Sequence, residues 1–203
     1  MENNRPLPAV TAGLIALNIA AFVLAELHGS TLETAVLIDC GGAYPPLIAR
    51  GEYWRLFTSM FLHAGIRHLL NNMLLLYVMG SVLETQTGRV RFVITALGGG
   101  LAGNLVHYAL QIRSADDSVS VGASGVVFAV IGGVLYVLLR NRGRVQGLTL
   151  RQLLIMLFFA LYFGFTSPDV ANAAHVGGLA GGFLLTLLLY RRPAEPAEDT
   201  TLP

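Results

Sequence analysis

Long blocks of apolar residues, separated by short polar segments, make up most of this 203-residue chain. Each block falls in the range of about 17 to 25 residues that an α-helix needs to cross a bilayer. The blocks are apolar nearly all round, whereas a surface helix of a soluble protein keeps a polar face. Six transmembrane helices are therefore predicted, over residues 8–27, 68–84, 90–111, 122–140, 151–167 and 170–190.

Composition supports this class and argues against others. Hydrophobic residues are 54% of the chain and charged residues 12%, with a mean hydropathy of +0.64, whereas soluble domains carry about 25% charged residues. The net charge is +1 and there is no basic tract, so no nucleic-acid partner is predicted. Cys40 is the sole cysteine, which excludes an intrachain disulfide. We predict an all-α polytopic membrane protein with one domain over 1–190 and a polar, disordered cytoplasmic tail over 191–203.

Arginine placement predicts the orientation. If the N-terminus is cytoplasmic, nine arginines lie on the cytoplasmic side: Arg5, Arg89, Arg91, Arg140, Arg142, Arg144, Arg151, Arg191 and Arg192. The positive-inside rule then places both termini in the cytoplasm. The first apolar block is too long, and its start too weakly basic, for a signal peptide, so we expect it to be retained. The absence of organelle-type targeting features favours a bacterial inner (plasma) membrane.

The segment 28–67, between the first two predicted helices, is too long for a simple connector. It contains proline and aromatic residues, including Tyr44, Tyr53 and Trp54. Because Trp and Tyr are enriched at membrane interfaces, we expect a long, ordered interfacial loop here.

Glycines recur at a spacing of four in the third and sixth predicted helices, as Gly99-xxx-Gly103 and Gly178-xxx-Gly182. This spacing lets helix backbones approach closely in lipid. His175 lies three residues before Gly178 and therefore shares its helical face. The histidine is expected to face this packed seam and not the lipid.

Ser124 and His175 carry the clearest chemical signal. Ser124 lies at the start of the fourth predicted helix and His175 in the outer half of the sixth, so the predicted orientation gives them similar depth. Ionisable groups are costly in a bilayer, so an intramembrane histidine indicates function. Serine needs an adjacent base to become a nucleophile, and His175 is the available base. A serine at a helix start can also be a purely structural cap.

A serine hydrolase also needs donors that stabilise the oxyanion. His68 and Asn72 are four residues apart on one helical face, and the backbone N–H of Ser124 could be a third donor. Gly122 would let the backbone approach a substrate. The fourth and sixth predicted helices contain no Asp or Glu, which favours a dyad over a triad.

Two other hydrolase classes do not fit the sequence. There is no Gly-x-Ser-x-Gly elbow after a strand, and no His-Glu-x-x-His zinc motif. His63 and His68 are five residues apart with no accompanying carboxylate, which is a poor ligand set. Neither a metal nor another cofactor is predicted.

Five motifs follow one another between Trp54 and Gly182: Trp54-Arg55, His63-x4-His68-x3-Asn72, Glu84 followed by Gly88, Gly122-Ala123-Ser124-Gly125, and Ala174-His175-x-Gly177-Gly178. In this order they resemble the rhomboid family of intramembrane serine proteases. The resemblance implies a six-helix rhomboid-like bundle with a long interfacial loop between helices 1 and 2. On its own, Glu84 followed by Gly88 indicates only a helix end.

The resemblance also implies roles for individual residues. Ser124 would be the nucleophile and His175 the general base and acid, with His68, Asn72 and the Ser124 amide as the oxyanion hole. Further supporting residues would be Gly122, Gly125, Phe128, His63, Trp54, Arg55, Asn172 and Gly178. Phe128 would pack against the catalytic histidine, and Trp54 and Arg55 would be structural.

Substrate access follows from the same resemblance. The fifth helix and the loop Ser167-Pro168-Asp169 would form a gate and cap that admit substrates from the lipid. The partners would be the bilayer and single-span membrane proteins, cut near the outer membrane face.

Two rival functions stay open. A rhomboid-like pseudoprotease would bind membrane clients without cleavage. Such a protein is expected to lack the serine or the histidine, whereas this chain has both. A small transporter or channel would show inverted repeats and charged groups at the membrane midplane, and the chain has neither pattern.

Overall fold

The computed structural model describes residues 8–166 and 171–191, and these are mostly helical. The elements follow in the order α1 (Ala9–His28), α2 (Thr34–Asp39), α3 (Pro45–Ala49), α4 (Arg55–Thr58), a 3-10 turn (Ser59–Phe61), α5 (Ile66–Thr87), α6 (Arg89–Ser114), α7 (Ser124–Arg140), β1 (Arg144–Val145), β2 (Leu148–Thr149), α8 (Leu150–Thr166) and α9 (Asn172–Leu189).

Six apolar helices occupy the six predicted spans, with ends that differ by a few residues. Four of them, α1, α5, α6 and α9, are long and apolar enough to cross a membrane. The other two, α7 and α8, have 17 residues each. The chain is thus a helical membrane protein, and the count of six membrane crossings stays a prediction.

The glycine-rich faces of α6, α7 and α9 meet at the centre of the bundle. A Cβ atom added to Gly99 on α6 would lie 3.0 Å from the backbone nitrogen of Gly182 on α9. A Cβ atom on Gly182 would overlap the carbonyl oxygen of Ala129 on α7. Only hydrogen fits between these backbones, which confirms the close-packed seam predicted from the glycine spacing.

The segment 28–67 folds into three short helices and the 3-10 turn, and Arg55 holds them together. Its side chain is buried and its Nη1 donates to the carbonyls of Ile38, at 2.6 Å, and Gly42, at 3.2 Å. Its Nε donates to Glu52 at 2.7 Å. The interfacial location of this segment stays a prediction.

Glu84 joins the end of α5 to the start of α1. The carboxylate is buried and accepts hydrogen bonds from the backbone N–H of Val10, at 3.0 Å, and of Thr11, at 2.8 Å. It also accepts from the Thr11 hydroxyl at 2.7 Å. A carboxylate here satisfies N–H groups that a helix start leaves without partners. Gly88 ends α5 as the sequence indicated, but no sequence motif predicted this contact with α1.

A β-hairpin that the sequence analysis did not predict connects α7 to α8. Val145 pairs with Leu148, so the turn contains only two residues. Gln146 and Gly147 both have positive φ, 51° and 84°. Positive φ at both central residues is typical of a type I′ turn, whose twist matches that of the two flanking antiparallel strands.

Candidate active site

Ser124 is the first residue of α7 and is half-buried. The N–H groups in the first turn of a helix have no partner within that helix, and the helix dipole makes this end favourable for negative charge. Gly122, two residues earlier, has φ of +130°, a conformation that side chains rarely adopt. The serine is thus placed where a nearby oxyanion would meet backbone donors.

His175 lies in the first turns of α9 and is buried. Its imidazole stacks on the ring of Phe128, with centroids 4.2 Å apart and planes inclined by 12°. Among the residues that the structure describes, its Nδ1 has no hydrogen-bond partner. The imidazole is therefore oriented by an aromatic ring.

The first turns of α7 and α9 touch through their backbones. A Cβ atom on Gly178 would overlap the carbonyl oxygen of Gly125, and one on Gly125 would lie 3.8 Å from the carbonyl oxygen of Ala174. These residues are close neighbours in sequence of Ser124 and His175. Within the described part of the chain, no hydrogen bond joins the Ser124 hydroxyl to His175. Catalytic hydrogen bonds are often long without substrate and shorten in the reacting complex.

His68 reaches the backbone that precedes Ser124, whereas Asn72 is partly engaged on its own helix. A Cβ atom on Gly122 would lie 2.8 Å from Nε2 of His68. The Asn72 amide is buried and donates one hydrogen bond to the carbonyl of His68 at 3.1 Å. Because an amide carries two N–H donors, Asn72 keeps one for another acceptor.

His63 contacts the chain directly before the serine. Its Nε2 accepts a hydrogen bond from the backbone N–H of Ala123 at 3.4 Å. Burial, and to a lesser extent the neighbouring His68, lower the pKa of His63 to about 3. A neutral imidazole can accept such a bond, whereas a protonated one has only donors. His63 is thus a positioning residue that holds Ala123.

Asn104, on α6, is a supporting residue that the sequence motifs missed. It is buried, and its Nδ2 donates to the carbonyl of Leu56, at 2.8 Å, and to the hydroxyl of Ser59, at 3.2 Å. The Ser59 carbonyl in turn accepts from the N–H of Gly122 at 2.9 Å. The available signal was a polar amide side chain directly after Gly103 in an apolar helix.

The remaining predicted residues lie at the edges of this site. The Arg55 guanidinium lies 4.6 Å from the centroid of the half-exposed Trp54 ring, which fits a structural role for both. Asn172 begins α9 and donates to the carbonyl of Gly164 on α8 at 3.2 Å. The predicted cap loop 167–169 lies outside the described residues.

Comparison with known proteins gives one consistent family. The model of the Rhomboid domain matches residues 50–192. Rhomboid protease GluP of Bacillus subtilis (strain 168) is 36% identical over 182 residues, which are 90% of this chain and 35% of GluP. YdcA, a rhomboid protein of the same strain, is 34% identical over 145 residues, or 71% of each chain. RHOMBOID-like protein 7 of Arabidopsis thaliana is 39% identical over 159 residues, 77% of this chain and 49% of that protein.

Proposed function

Because this chain belongs to the rhomboid family, we propose that it is an intramembrane serine endopeptidase with a Ser124–His175 dyad. The chain spans only about a third of GluP, so the activity is argued from its own residues. The contact between the first turns of α7 and α9, with Phe128 stacked on His175, is the observation that carries the proposal.

The proposed reaction begins with the Ser124 hydroxyl. His175 takes its proton as the oxygen attacks the peptide carbonyl. The negative charge that develops on the carbonyl oxygen is stabilised by the Ser124 N–H at the start of α7, with His68 and the second N–H of Asn72. His175 then gives its proton to the leaving amine. Water attacks the acyl-enzyme through the same steps and releases the second product.

The stacked geometry supports a dyad without a carboxylate. In a triad, an acid fixes the histidine ring by accepting a hydrogen bond from its other nitrogen. Here Nδ1 of His175 is buried without such a partner in the described part of the chain. Phe128 lies one helical turn after Ser124, so the stack ties the ring plane to the helix that carries the nucleophile.

The substrates, location and topology proposed here come from the residues and the family resemblance. We propose single-span membrane proteins as substrates, cut near the outer face, in a bacterial inner membrane with both termini of this chain cytoplasmic. The gate formed by α8 and the 167–169 loop belongs to the same proposal.

A fluorophosphonate probe tests the proposal directly, because it reacts only with an activated serine. The full chain in detergent is expected to be labelled, whereas Ser124→Ala and His175→Ala are expected to stay unlabelled. Ser81→Ala is a matched control, since that exposed hydroxyl bonds only the Tyr77 carbonyl of its own helix. Cleavage of a single-span substrate is measured in parallel. A folded wild type that neither labels nor cleaves would overturn the proposal in favour of a client-binding pseudoprotease.

A further inference from the structure

A groove of about 600 Å³ lies between the β-hairpin and the first turn of α8. Its polar side chains include Arg144, Thr149, Arg151 and Gln152. The hairpin follows the end of α7, and 17 helical residues span about 25 Å. The groove is therefore at the opposite end of α7 from Ser124 and is separate from the candidate active site.

An apolar groove of about 500 Å³ continues from it along α8. The two grooves share Leu150, Arg151 and Ile155. The second is further lined by Leu154, Phe158 and Phe159. These side chains share the exposed face of α8, and Phe158 is 63% exposed. A polar groove thus leads directly into an apolar one along α8, which is predicted to cross the membrane.

Among the described residues, the lining of the polar groove contains two arginines and no acidic side chain. Arg144 and Arg151 are exposed, and the one ion pair in the described part of the chain is between Arg55 and Glu52. The sequence contains no Asp or Glu from residue 118 to 166. A guanidinium is suited to phosphate because its N–H groups bind two oxygens at once.

The backbone that carries these arginines is fixed by hydrogen bonds. Gln152 Oε1 accepts from the N–H and hydroxyl of Thr149, at 2.9 and 2.8 Å, and the Gln152 N–H donates back to that hydroxyl at 3.3 Å. This reciprocal pair is a capping box. The Leu150 N–H donates to the Gly143 carbonyl at 2.9 Å, which joins the helix start to the hairpin. Arg144 and Arg151 are therefore held on one rigid corner.

We propose that this corner binds one anionic phospholipid. Arg144 and Arg151 hold its phosphate, and one acyl chain lies along Leu154 and Phe158. The charge selects an anionic over a zwitterionic headgroup, and the apolar groove selects a lipid over a soluble phosphate. The proposal requires only that α8 lies in the membrane, so it does not depend on Ser124 chemistry.

Native mass spectrometry of the full chain, with phosphatidylglycerol and phosphatidylcholine in equal amounts, tests the proposal. One phosphatidylglycerol is expected to be retained. Arg144→Gln with Arg151→Gln should weaken its binding by about 25-fold, since each arginine near an anionic lipid contributes about fivefold. Arg140→Gln with Arg142→Gln removes the same charge beside the groove and should leave binding nearly unchanged.

Two further measurements distinguish binding of a lipid from binding of a soluble phosphate. Phe158→Ala should weaken lipid retention while both arginines remain, and glycerol phosphate, which lacks acyl chains, should not displace the lipid. Equal retention of phosphatidylcholine, or equal loss in the Arg140/Arg142 control, would overturn the proposal. Displacement by glycerol phosphate would replace it with a soluble-phosphate site. Fluorophosphonate labelling, read on the same samples, reports on the protease proposal independently.

Discussion

The ring of Phe128 and the imidazole of His175 lie nearly parallel, 4.2 Å apart, and join α7 to α9 beside the candidate nucleophile. Both side chains are buried. No carboxylate orients the imidazole in the described part of the chain, so this stack is the contact that fixes the plane of the proposed general base.

Replacing Phe128 should therefore affect catalysis through His175. Aromatic stacking contributes about 0.5–1.5 kcal/mol beyond burial, so Phe128→Leu should lower the cleavage rate by about 2- to 10-fold. Phe128→Tyr keeps the ring and should stay close to wild type. Initial rates on a single-span substrate measure the effect, and thermal midpoints control for folding. Equal rates for the Leu and Tyr variants would show that the stack does not position the base.

Gly122 should tolerate no side chain. In Gly122→Ala, the Cβ atom would lie 2.8 Å from Nε2 of His68 in a backbone with φ of +130°. Loss of one oxyanion donor reduces kcat by about 100- to 1,000-fold, and a displaced His68 should cause a loss of that order. Gly51→Ala is the control, because Gly51 has φ of +104° and no atom within 4 Å of the added Cβ. Similar rates for both variants would remove His68 from the site.

Stability should fall in acid because His63 must stay neutral when folded. Its pKa is lowered to about 3 in the folded chain, from about 6.5 when unfolded. Below pH 6.5 the unfolded chain binds this proton more readily, so His63 by itself should contribute a fall of about 1.4 kcal/mol per pH unit in the free energy of unfolding, down to about pH 3. His63→Gln should be less stable at pH 7 and have a shallower pH dependence. Identical pH slopes for the wild type and His63→Gln would show that His63 does not cause the loss of stability in acid.

The Glu84 carboxylate should stabilise the junction of α1 and α5. Glu84→Gln removes its charge and leaves a buried helix start with a mismatched partner, which should lower the free energy of unfolding by about 1–3 kcal/mol. Thr11→Val removes one of its three donors and should have a smaller effect. Denaturation in detergent measures both. A larger effect for Thr11→Val would show that packing, not the carboxylate, holds the junction.

The glycine seam should reject even a methyl group. In Gly182→Ala the new Cβ atom would overlap the Ala129 carbonyl, so α9 must move away from α7. Overpacking of this kind destabilises by about 1–3 kcal/mol, and labelling of Ser124 should fall as the helices separate. Gly13→Ala, on α1, has nothing within 4 Å of its Cβ and should be neutral or stabilising. A neutral Gly182→Ala would argue against a rigid seam.

Much of the architecture could be predicted because apolar blocks in lipid allow few solutions. A chain segment in hydrocarbon must satisfy its own backbone hydrogen bonds, so each block becomes a helix. The glycine spacing on α6 and α9 also placed His175 on the packed face, which the structure confirms. The hairpin at Val145–Leu148 could not be found by hydropathy, since its signal is a two-residue turn with positive φ.

The supporting contacts were less accessible from sequence. Asn104 and Glu84 act through partners 48 and 73 residues away, Leu56 and Thr11. Contacts between residues so far apart produce no periodic pattern in the sequence. Only the packing of α6 against α4, and of α5 against α1, brings these groups within hydrogen-bond distance.

The amino-acid sequence alone identifies a helical membrane protein of the rhomboid family, because hydropathy and short ordered motifs are local properties. It also named Ser124 and His175 as the candidate pair. The support of that pair is visible only in the folded chain: Phe128 orients the imidazole, while His63 and Ser59 hold the two residues before the serine. Such contacts depend on where distant segments meet, and the packing of whole helices sets that.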